Sequence, residues 1–503
     1  METVYGLVAA GLILLFTFCK FLFPRKYRKL NLPLSPPAWP IIGHLHLLGP
    51  LPHQALSEQA QKHGPLLFLW LGSVPTIVAS NASTARECLR TYDQIFASRP
   101  AKTESVQILS SNHIDMGWTD HGPLWRHFRK ICKLELFSPK KMEASKHVRR
   151  EEVSSMLKSL LKEGEGGKVV SVSSQVFDLT RNVITRMVLN TKYFVSGSAE
   201  ALEFQKTVYE YFQLNGVFVL GDYLPFMAWL DFQGYKRRMK IVHERLDAMM
   251  DKIVQEHRDL KLGASINFID VLLAVGQDDG NERFGIDNIK ALVSDMITTG
   301  SDTSSITIIW GIAEILRNPS VLEKAHQELD RIVGRERIVE EDDIPQLKYL
   351  QAIVKETFRL HPAVPLLVPH ESTQAVQIAG YDIPAKSRLL VNAWAIGRDP
   401  SSWEKPLEFF PDRFLNNTID IRGKDYELIP FGSGRRGCPG LELGLINVQL
   451  GMAALLQSFN WSLPYPQRPA DLDMTELFGL TLPRASPLCA VATPRLPRHL
   501  YCN

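Results

Sequence analysis

The residues with the clearest chemical potential lie in a glycine-rich loop that carries Cys438. Residues 430–440 read PFGSGRRGCPG, and an apolar helical run of nineteen residues follows them. A cysteine just ahead of a helix N-terminus sits among backbone N–H groups and a positive dipole end, which favour the thiolate. Such a sulfur can bind iron. Gly432, Gly434 and Gly437 permit positive φ and a close approach of the backbone to a flat group, and Phe431 can pack on the sulfur side.

A turn with a buried free cysteine is the simpler interpretation of one cysteine near one glycine. It does not account for a longer pattern: the loop resembles that of the cytochrome P-450 monooxygenases, F-x-x-G-x-R-x-C-x-G, which is met at Phe431, Gly434, Arg436, Cys438 and Gly440. In that family the cysteine thiolate is the proximal iron ligand and pushes electron density toward iron-bound oxygen. The resemblance implies haem b as cofactor, Cys438 as metal ligand and Arg436 on a haem propionate, with Phe431 and Gly432 beside the haem.

A second chemical segment, ITTGSDTS at residues 297–304, lies inside a long apolar helical pattern. Gly300 costs about 1 kcal/mol against Ala in a helix interior, so we expect either a widened turn that admits dioxygen or close packing there. In the family, an acid and alcohol such as Asp302 and Thr303 deliver protons to reduced iron-bound oxygen and are catalytic. The family usually has Ala or Gly where this chain has Thr299. Its hydroxyl either bonds back to the carbonyl of Asp295 or reaches the cavity, and the sequence leaves both open.

Further motifs support the same resemblance. Glu356 and Arg359 share a helix face in an apolar run, and Arg413 of FFPDRF can complete a carboxylate held by two guanidiniums. The family's E-x-x-R and P-x-R-F residues form such a structural triad. Glu328 and Arg331 have the same spacing, but such pairs are usually solvated.

Two more positions point toward a propionate. Trp125 and Arg129 are one helical turn apart and match the family's W-x-x-x-R, although a core Trp beside a surface Arg is equally compatible with the pattern. His370 stands where the family often has Arg. We expect a neutral His370 to donate one hydrogen bond to a propionate, with pH-dependent charge pairing.

The expected substrate side, taken from family positions, comprises residues 105–116, 364–367 and 478–482, with Thr299. These are mostly apolar or small, which suits a hydrophobic substrate. The individual pocket residues we predict are Thr299, Val364, Leu367, Phe478 and Leu480.

The elements that must position these residues are mainly helical. Hydrophobic periodicity predicts helices at 123–136, 174–189, 234–262, 286–317, 319–333 and 347–360. Short strands are predicted at 66–71 with 76–79, and at 376–378 with 389–392. We therefore predict a mainly α fold with small β-sheets in one large haem-thiolate domain, residues 51–503, because no second linker or repeat interrupts it.

An N-terminal anchor is predicted ahead of that domain. Residues 4–23 are apolar except for Lys20, close to the roughly 20 residues that span a bilayer. Arg25, Lys26, Arg28 and Lys29 follow, an arrangement that favours an uncleaved anchor with a cytosolic catalytic domain over a cleaved signal peptide. Residues 24–50 then form a basic cluster and proline-rich hinge. We expect a single-pass protein of the endoplasmic reticulum membrane.

Composition excludes several other classes. The 503 residues are 45% hydrophobic and 22% charged, so disordered, collagen-like and coiled-coil proteins drop out. The formal net charge of +3 is too small for a nucleic-acid partner. The six cysteines show no C-x-x-C spacing, which argues against a disulfide scaffold or structural zinc site and suits a reducing compartment.

The function that the resemblance implies is an NADPH- and O2-dependent monooxygenase that hydroxylates a hydrophobic small molecule. The resemblance is closest to microsomal enzymes of plant specialised metabolism, and we expect terpenoid or phenylpropanoid chemistry. The expected partner is NADPH-cytochrome P-450 reductase, docked on basic residues of the cysteine-loop face, Arg126, Lys130, Lys133 and Arg435. A haem-thiolate isomerase or dehydratase that needs no reductase is the main alternative, and a haem sensor or carrier is a third. Asp302 and Thr303 favour the monooxygenase, because isomerases and dehydratases of the family typically lose this acid–alcohol pair.

Overall fold

The computed structural model describes residues 29–100, 102–110, 113–195, 197–259, 267–278 and 284–501. The predicted anchor at 4–23, together with Arg25, Lys26 and Arg28, lies outside the described residues. Within those ranges, no helix combines the length and the apolar character needed to cross a membrane.

Helices dominate the described chain, and a few glycines and prolines set their ends. Pro stands in the first turn of several of them, where its missing N–H costs no hydrogen bond. In chain order the helices are α1 (Pro52–His63), α2 (Ala82–Arg86), α3 (Glu104–Leu109), α4 (Pro123–Glu135), α5 (Pro139–Ala144), α6 (Lys146–Glu163), α7 (Val172–Leu189), α8 (Ala199–Gly216), α9 (Leu220–Tyr223), α10 (Tyr235–Asp259), α11 (Phe268–Asp278), α12 (Ile286–Arg317), α13 (Pro319–Ile332), α14 (Lys348–Leu360), α15 (Ala393–Ile396) and α16 (Leu441–Ser458).

The strands of the described residues are short and form small sheets at the edge of the helical body. They are β1 (Leu66–Leu71), β2 (Val74–Ala79), β3 (Val169–Ser171), β4 (His370–Glu371), β5 (Val376–Ile378), β6 (Tyr381–Ile383), β7 (Arg388–Val391), β8 (Phe459–Ser462) and β9 (Cys489–Pro494). Their orders are β1-β2-β7-β4, β3-β9-β8 and β5-β6. The β2–β7 pair is parallel, with Thr76 opposite Arg388, and the other pairs are antiparallel.

The mainly helical architecture with small sheets confirms the predicted fold class. The long helices begin and end within two residues of their predicted bounds, except that the predicted end of α10 at residue 262 lies outside the described residues. The predicted strands are present, but β5 pairs with β6 across a tight turn at Ala379 and Gly380 rather than with β7. Both turn residues have positive φ, and this local hairpin closes at a lower entropic cost than a long-range pairing.

Helix α12 runs through the main core, and most of its residues are buried, including several that are polar. It packs against α7 and α16, and glycines mark the closest approaches. A Cβ on Gly300 would lie 2.8 Å from Cγ1 of Ile184, and one on Gly311 would lie 2.6 Å from Cε of Met452. Close packing is therefore the reason for Gly300 that the structure supports.

Candidate active site

An internal cavity of about 280 Å³ lies between α12 and the loop that precedes α16. Most of its wall is apolar, and polar residues line it both on α12 and on the side of α4 and the cysteine loop. The predicted residues on the wall are Trp125, Arg129, Thr299, Thr303, Val364, Leu367, His370, Phe431, Gly432, Arg436, Cys438 and Leu480. The fold thus brings together residues that lie more than 300 positions apart in the chain.

The cysteine loop is folded back on itself beneath this cavity. The backbone N–H of Cys438 donates to the carbonyl oxygen of Phe431 at 2.9 Å, which closes the loop. Gly432 and Gly434 have φ values of +66° and +70°, a region that costs glycine little. A Cβ on Gly434 would collide with the carbonyl of Leu89, so that position also needs glycine for space. The loop therefore presents a fixed cysteine at the start of α16.

Cys438 is exposed and lines the cavity. Burial raises the pKa of the Cys438 thiol, while the N–H of Gly440 and the positive charge of Arg129 oppose that effect. The prediction that this loop favours the thiolate is wrong for the metal-free cysteine. Desolvation raises the pKa of the thiol by more than the N–H of Gly440 and the charge of Arg129 lower it. A coordinated metal deprotonates a thiol outright, so the site fits a metal ligand better than a free thiolate.

Three guanidiniums face the cavity from different elements. Arg436 donates from Nε to the carbonyl oxygen of Ala97 at 2.6 Å and also bonds the carbonyl of Thr119, and its guanidinium lies 4.7 Å from the Trp125 ring centroid. Arg99 donates from Nη1 to the carbonyl oxygens of Val368 and Pro369 at 2.7 and 2.9 Å. Carbonyls are neutral acceptors, so these hydrogen bonds do not neutralise either guanidinium. Burial lowers the pKa of Arg99 well below its usual value and that of Arg436 to about 10, and an anion in the cavity would favour the charged form of both.

Arg129 differs from those two arginines because no described residue supplies it with an acceptor. It is half-buried on α4, its guanidinium is 5.9 Å from the Trp125 ring centroid, and it forms no hydrogen bond or ion pair within the described chain. Burial lowers the pKa of Arg129. A carboxylate ligand in the cavity would satisfy this side chain and offset that desolvation.

His370 lines the cavity, but its hydrogen bonding differs from the prediction. Its Nδ1 lies 2.6 Å from the carbonyl oxygen of Phe96, and because a carbonyl can only accept, Nδ1 carries the proton of the neutral ring. Burial, followed by the charges of Arg99 and Arg436, holds the pKa of His370 well below its usual range. The neutral ring therefore has no N–H left to donate toward the cavity, which corrects the expected bond to a propionate.

The catalytic candidates on α12 fall on two sides of the helix. Thr303 faces the cavity, and its Oγ1 donates to the carbonyl oxygen of Thr299 at 2.9 Å. Asp302 is fully buried behind the wall, and neither carboxylate oxygen makes a hydrogen bond of normal geometry within the described residues. Burial raises the pKa of Asp302 to about 7, an effect that the nearby Thr481 hydroxyl partly opposes. Thr481 itself lies on the cavity wall.

The hydroxyl of Thr299 bonds back into the helix, while the side chain still borders the cavity. Its Oγ1 donates to the carbonyl oxygen of Asp295 at 2.6 Å, and its side chain is exposed into the cavity. The hydroxyl is therefore satisfied inside the helix, and the residue acts on the cavity through its bulk.

The predicted ionic triad is assembled away from the cavity. Arg359 contacts Glu356 through Nε at 2.7 Å, and Nε of Arg413 lies 3.2 Å from the same carboxylate. Arg359 also donates to the carbonyl oxygens of Gly397, Pro406 and Glu408. A fully buried carboxylate held this way fixes α14 against the chain that leads to the cysteine loop.

Sequence reasoning missed Arg99 and the buried acids Asp115 and Asp295. Arg99 lies in a loop without hydrophobic periodicity. Its position before Pro100 is the only sequence feature that could have drawn attention to it. Asp295 appeared only as a helix neighbour of Thr299, yet its Oδ2 accepts a hydrogen bond from the N–H of Met116 at 2.8 Å. An acidic residue inside an otherwise apolar helical run was the signal available for it.

Comparison with known proteins decides the family. The model of the cytochrome P-450 family matches residues 33–489 of this chain. The chain belongs to the cytochrome P-450 family. Its relatives include flavonoid 3′-monooxygenase of Petunia hybrida, 43% identical over 95% of both chains, and 3,9-dihydroxypterocarpan 6A-monooxygenase of Glycine max, 42% identical over 94% of this chain and 95% of that one. Flavonoid 3′,5′-hydroxylase of Campanula medium is 41% identical over 99% of this chain and 98% of its own length.

Solved P-450 structures have the same fold. A zebrafish cytochrome P-450 with abiraterone superposes with a TM-score of 0.73 at 27% identity, covering 88% of this chain and all of that one. A zebrafish cytochrome P-450 with progesterone gives a TM-score of 0.74 at 27% identity over 88% of this chain and 99% of the other. This chain is a P-450 monooxygenase, whose cofactor is haem with a cysteine thiolate and whose electrons come from NADPH through a reductase.

The residues around the cavity fit that haem. The P-450 cavity combines one thiol, the acceptor-free guanidinium of Arg129 and two further arginines, which match an iron ligand and two carboxylate groups. Most of the remaining wall surface is apolar, as the edge and faces of a porphyrin require. Phe431 packs edge-on to Phe358 with centroids 5.2 Å apart, which closes the sulfur side.

Phe478 is the predicted pocket residue that the structure places elsewhere. It lines a second, smaller cavity, which shares Leu367 and Leu480 with the first one. The reason is the tight contact between the following Gly479 and the end of α8, where a Cβ on Gly479 would lie 2.8 Å from the Cα of Gln213. The N–H of Leu480 donates to the carbonyl oxygen of Phe212 at 2.8 Å, which fixes this loop between the two cavities.

Proposed function

We propose that this P-450 hydroxylates an aromatic small molecule of phenylpropanoid origin, of the flavonoid or pterocarpan type. The observation that carries the proposal is the apolar cavity directly above Cys438, with Thr303 on its wall. Relatives named for flavonoid and pterocarpan oxidation, each more than 40% identical over nearly the whole chain, favour phenylpropanoid over terpenoid substrates.

Cys438 would bind the haem iron, and Arg129, Arg436 and Arg99 would bind the haem carboxylates. When bound, the haem would supply the activation of dioxygen with two electrons and two protons, in which one oxygen atom enters a C–H bond of the substrate and the other leaves as water. Trp125 holds the Arg436 guanidinium against the cavity wall. His370 fixes the loop at Phe96 and contributes a neutral wall.

Asp302 and Thr303 are the proposed proton-delivery residues. Thr303 presents its Oγ1 lone pairs to the cavity, because its own hydrogen is given to the carbonyl of Thr299. Asp302 holds and releases a proton near neutral pH, because burial raises its pKa to about 7. Thr481 lies on the cavity wall, and its hydroxyl is near enough to Asp302 to lower the pKa of that acid. The hydroxyl of Thr481 therefore lies between Asp302 and the cavity. An isomerase or dehydratase has no use for this arrangement.

The proposed membrane attachment has a second element beyond residues 4–23. Large apolar side chains are exposed in the hinge and after α9: Leu34, Trp39, Phe226, Trp229 and Phe232. The two groups are neighbours, since the N–H of Gly72 donates to the carbonyl of Ile42 and that of Ser73 to the carbonyl of Tyr223. Aromatic residues favour the bilayer interface. We expect the catalytic domain, residues 51–503 behind a hinge at 24–50, to lie on the cytosolic face of the endoplasmic reticulum with this patch on the membrane.

The experiment is reconstitution of the full chain with haem, reductase, NADPH and oxygen. A flavonoid, a pterocarpan and a terpene are offered separately, and products are identified by mass spectrometry together with NADPH consumption. The proposal expects a product with one added oxygen atom from the phenolic substrates and NADPH use that depends on reductase. Turnover without reductase, or of the terpene alone, contradicts it.

A further inference from the structure

The second cavity, beside the haem cavity, has a polar lining that the proposed oxygen chemistry does not use. It measures about 60 Å³ and shares Leu367 and Leu480 with the first cavity. That volume equals roughly two water molecules of the bulk liquid. We call this space the antechamber. It is large enough for a small polar substituent but not for an aromatic ring.

Arg388 on β7 is the most unusual residue of the antechamber. Its side chain is buried, with a relative exposure of 8%. Its Nη1 donates to Oη of Tyr223 at 2.5 Å, and its Nε has no acceptor within the described chain. No carboxylate of the described residues lies within ion-pair distance of it. A buried guanidinium with an unused donor is costly unless something else binds there.

Asn215 near the end of α8 supplies the complementary group. It has a relative exposure of 7%, and its Nδ2 donates to the carbonyl oxygen of Tyr211 at 3.0 Å. That bond fixes the amide orientation, because the carbonyl requires a donor. Its Oδ1 is left buried and without a donor among the residues described. Two residues that line the antechamber therefore hold one donor and one acceptor without partners among the described residues.

The charge balance favours a neutral guest over an anion. Asp222 also lines the antechamber, and its charge acts on Arg388. Burial raises the pKa of Asp222 to about 6, so it is ionised at pH 7 and above and partly neutralises the guanidinium. A carboxylate guest could accept from Arg388 but could not donate to Asn215. A hydroxyl group can do both.

From these contacts we infer that the antechamber is a specificity site for a phenolic hydroxyl at the end of the substrate remote from the haem, with Arg388 as its donor and Asn215 as its acceptor. The inference rests on the proposed phenylpropanoid substrate class and adds its orientation. Phe478 and Phe218, whose rings stack with centroids 6.4 Å apart, also line this space and exclude water from the two hydrogen bonds.

The test measures, by calorimetry, how tightly two matched pairs of probes bind to the full-length holoenzyme. One pair is 7-hydroxyflavanone and flavanone, which differ on the ring opposite the 3′ position. The other pair is 4-phenylphenol and biphenyl. These compounds are not flavonoids, so the result with them does not depend on the proposed substrate class. The wild type should prefer the hydroxylated member of a pair by about tenfold. Asn215→Leu and Arg388→Leu should each reduce this preference to near unity while leaving the affinity for the deoxy probe unchanged.

Thr207→Val is the matched control, because Thr207 is buried on the same helix and its hydroxyl is already bonded to the carbonyl of Glu203. It should keep the wild-type preference. Any of three results would overturn the inference. In the first, the wild type binds both members of each pair with equal affinity; in the second, it binds none of the four probes; in the third, the preference for the hydroxylated probe survives in both leucine variants. Preference within the phenylphenol pair without any flavanone binding keeps the antechamber site and removes the flavonoid class instead.

Discussion

The carboxylate of Asp295 on α12 accepts a hydrogen bond from the backbone N–H of Met116 at 2.8 Å. This bond ties the helix that carries Thr299 and Thr303 to the segment before α4. Asp115 lies close enough for the two carboxyl groups to influence each other, and both are buried. Burial raises the pKa of Asp295 to about 7 and that of Asp115 well above its usual range.

This pair predicts a pH-dependent stability. Between about pH 4 and 7 the folded state binds more protons than the unfolded state, so the free energy of unfolding falls as the pH rises. Asp295→Asn keeps an acceptor for Met116 but cannot ionise. We expect its free energy of unfolding to exceed that of the wild type increasingly from pH 5 to 8, by on the order of 2–4 kcal/mol at the upper end, and its melting temperature to rise accordingly. Glu58→Gln, at an exposed carboxylate of α1, should show no such trend, and parallel curves for Asp295→Asn and wild type would refute the assignment.

Thr303→Ala should uncouple NADPH consumption from product formation. The variant loses the hydroxyl of residue 303 on the cavity wall. The residues proposed to hold the haem are unchanged. We expect product per NADPH to fall sharply, because general acid–base catalysis by a positioned group typically contributes about 100-fold or more, with peroxide rising accordingly. Thr303→Ser keeps a hydroxyl and should restore most of the coupling. Undiminished coupling in the alanine variant would assign the proton delivery to another group.

Thr299→Ala should retain turnover but broaden the product distribution. The hydroxyl of Thr299 is bonded within the helix, so the substitution mainly removes bulk from the cavity wall. Chromatographic product ratios measure the effect. Thr298→Val is the control, because Thr298 is buried and bonds back to Ser294 at 2.7 Å. Identical product ratios for wild type and Thr299→Ala at similar coupling would show that this side chain does not guide the substrate.

Charge reversal on α4 should weaken the interaction with reductase. Arg126, Lys130 and Lys133 are exposed along one face of this helix. Phe137, just after α4, is 3.4 Å from the position of a Cβ on Gly440, so this face adjoins the cysteine loop. Lys130→Glu with Lys133→Glu should raise the reductase concentration needed for half-maximal turnover by about 10-fold at low salt and flatten its salt dependence.

The control for that experiment is Lys158→Glu with Lys162→Glu, two exposed lysines on α6. Substrate affinity should be the same in all three proteins. If the α4 and α6 variants respond to reductase alike, the docking face lies elsewhere.

Local patterns predicted the helices because apolar periodicity over ten or more residues is set by burial of one face. The cysteine loop was equally predictable, since its glycines and Cys438 are fixed by spacing. The sequence could not reveal that His370 gives its N–H to Phe96, or that Asp115 and Asp295 meet, because the members of each pair lie far apart in the chain. The position of Phe478 at the second cavity rather than the first could not be predicted for the same reason: the contact of Gly479 with α8 decides it.

The most direct test of the account is the spectrum of the reduced carbon monoxide complex of Cys438→Ser. A serine oxygen is a harder and poorly ionised donor, so the variant should lose the thiolate-type Soret band and monooxygenase turnover. Cys489→Ser, at an exposed cysteine of β9, should keep both. A Cys438→Ser protein that retains the thiolate-type band would contradict the assignment of Cys438 as the haem ligand.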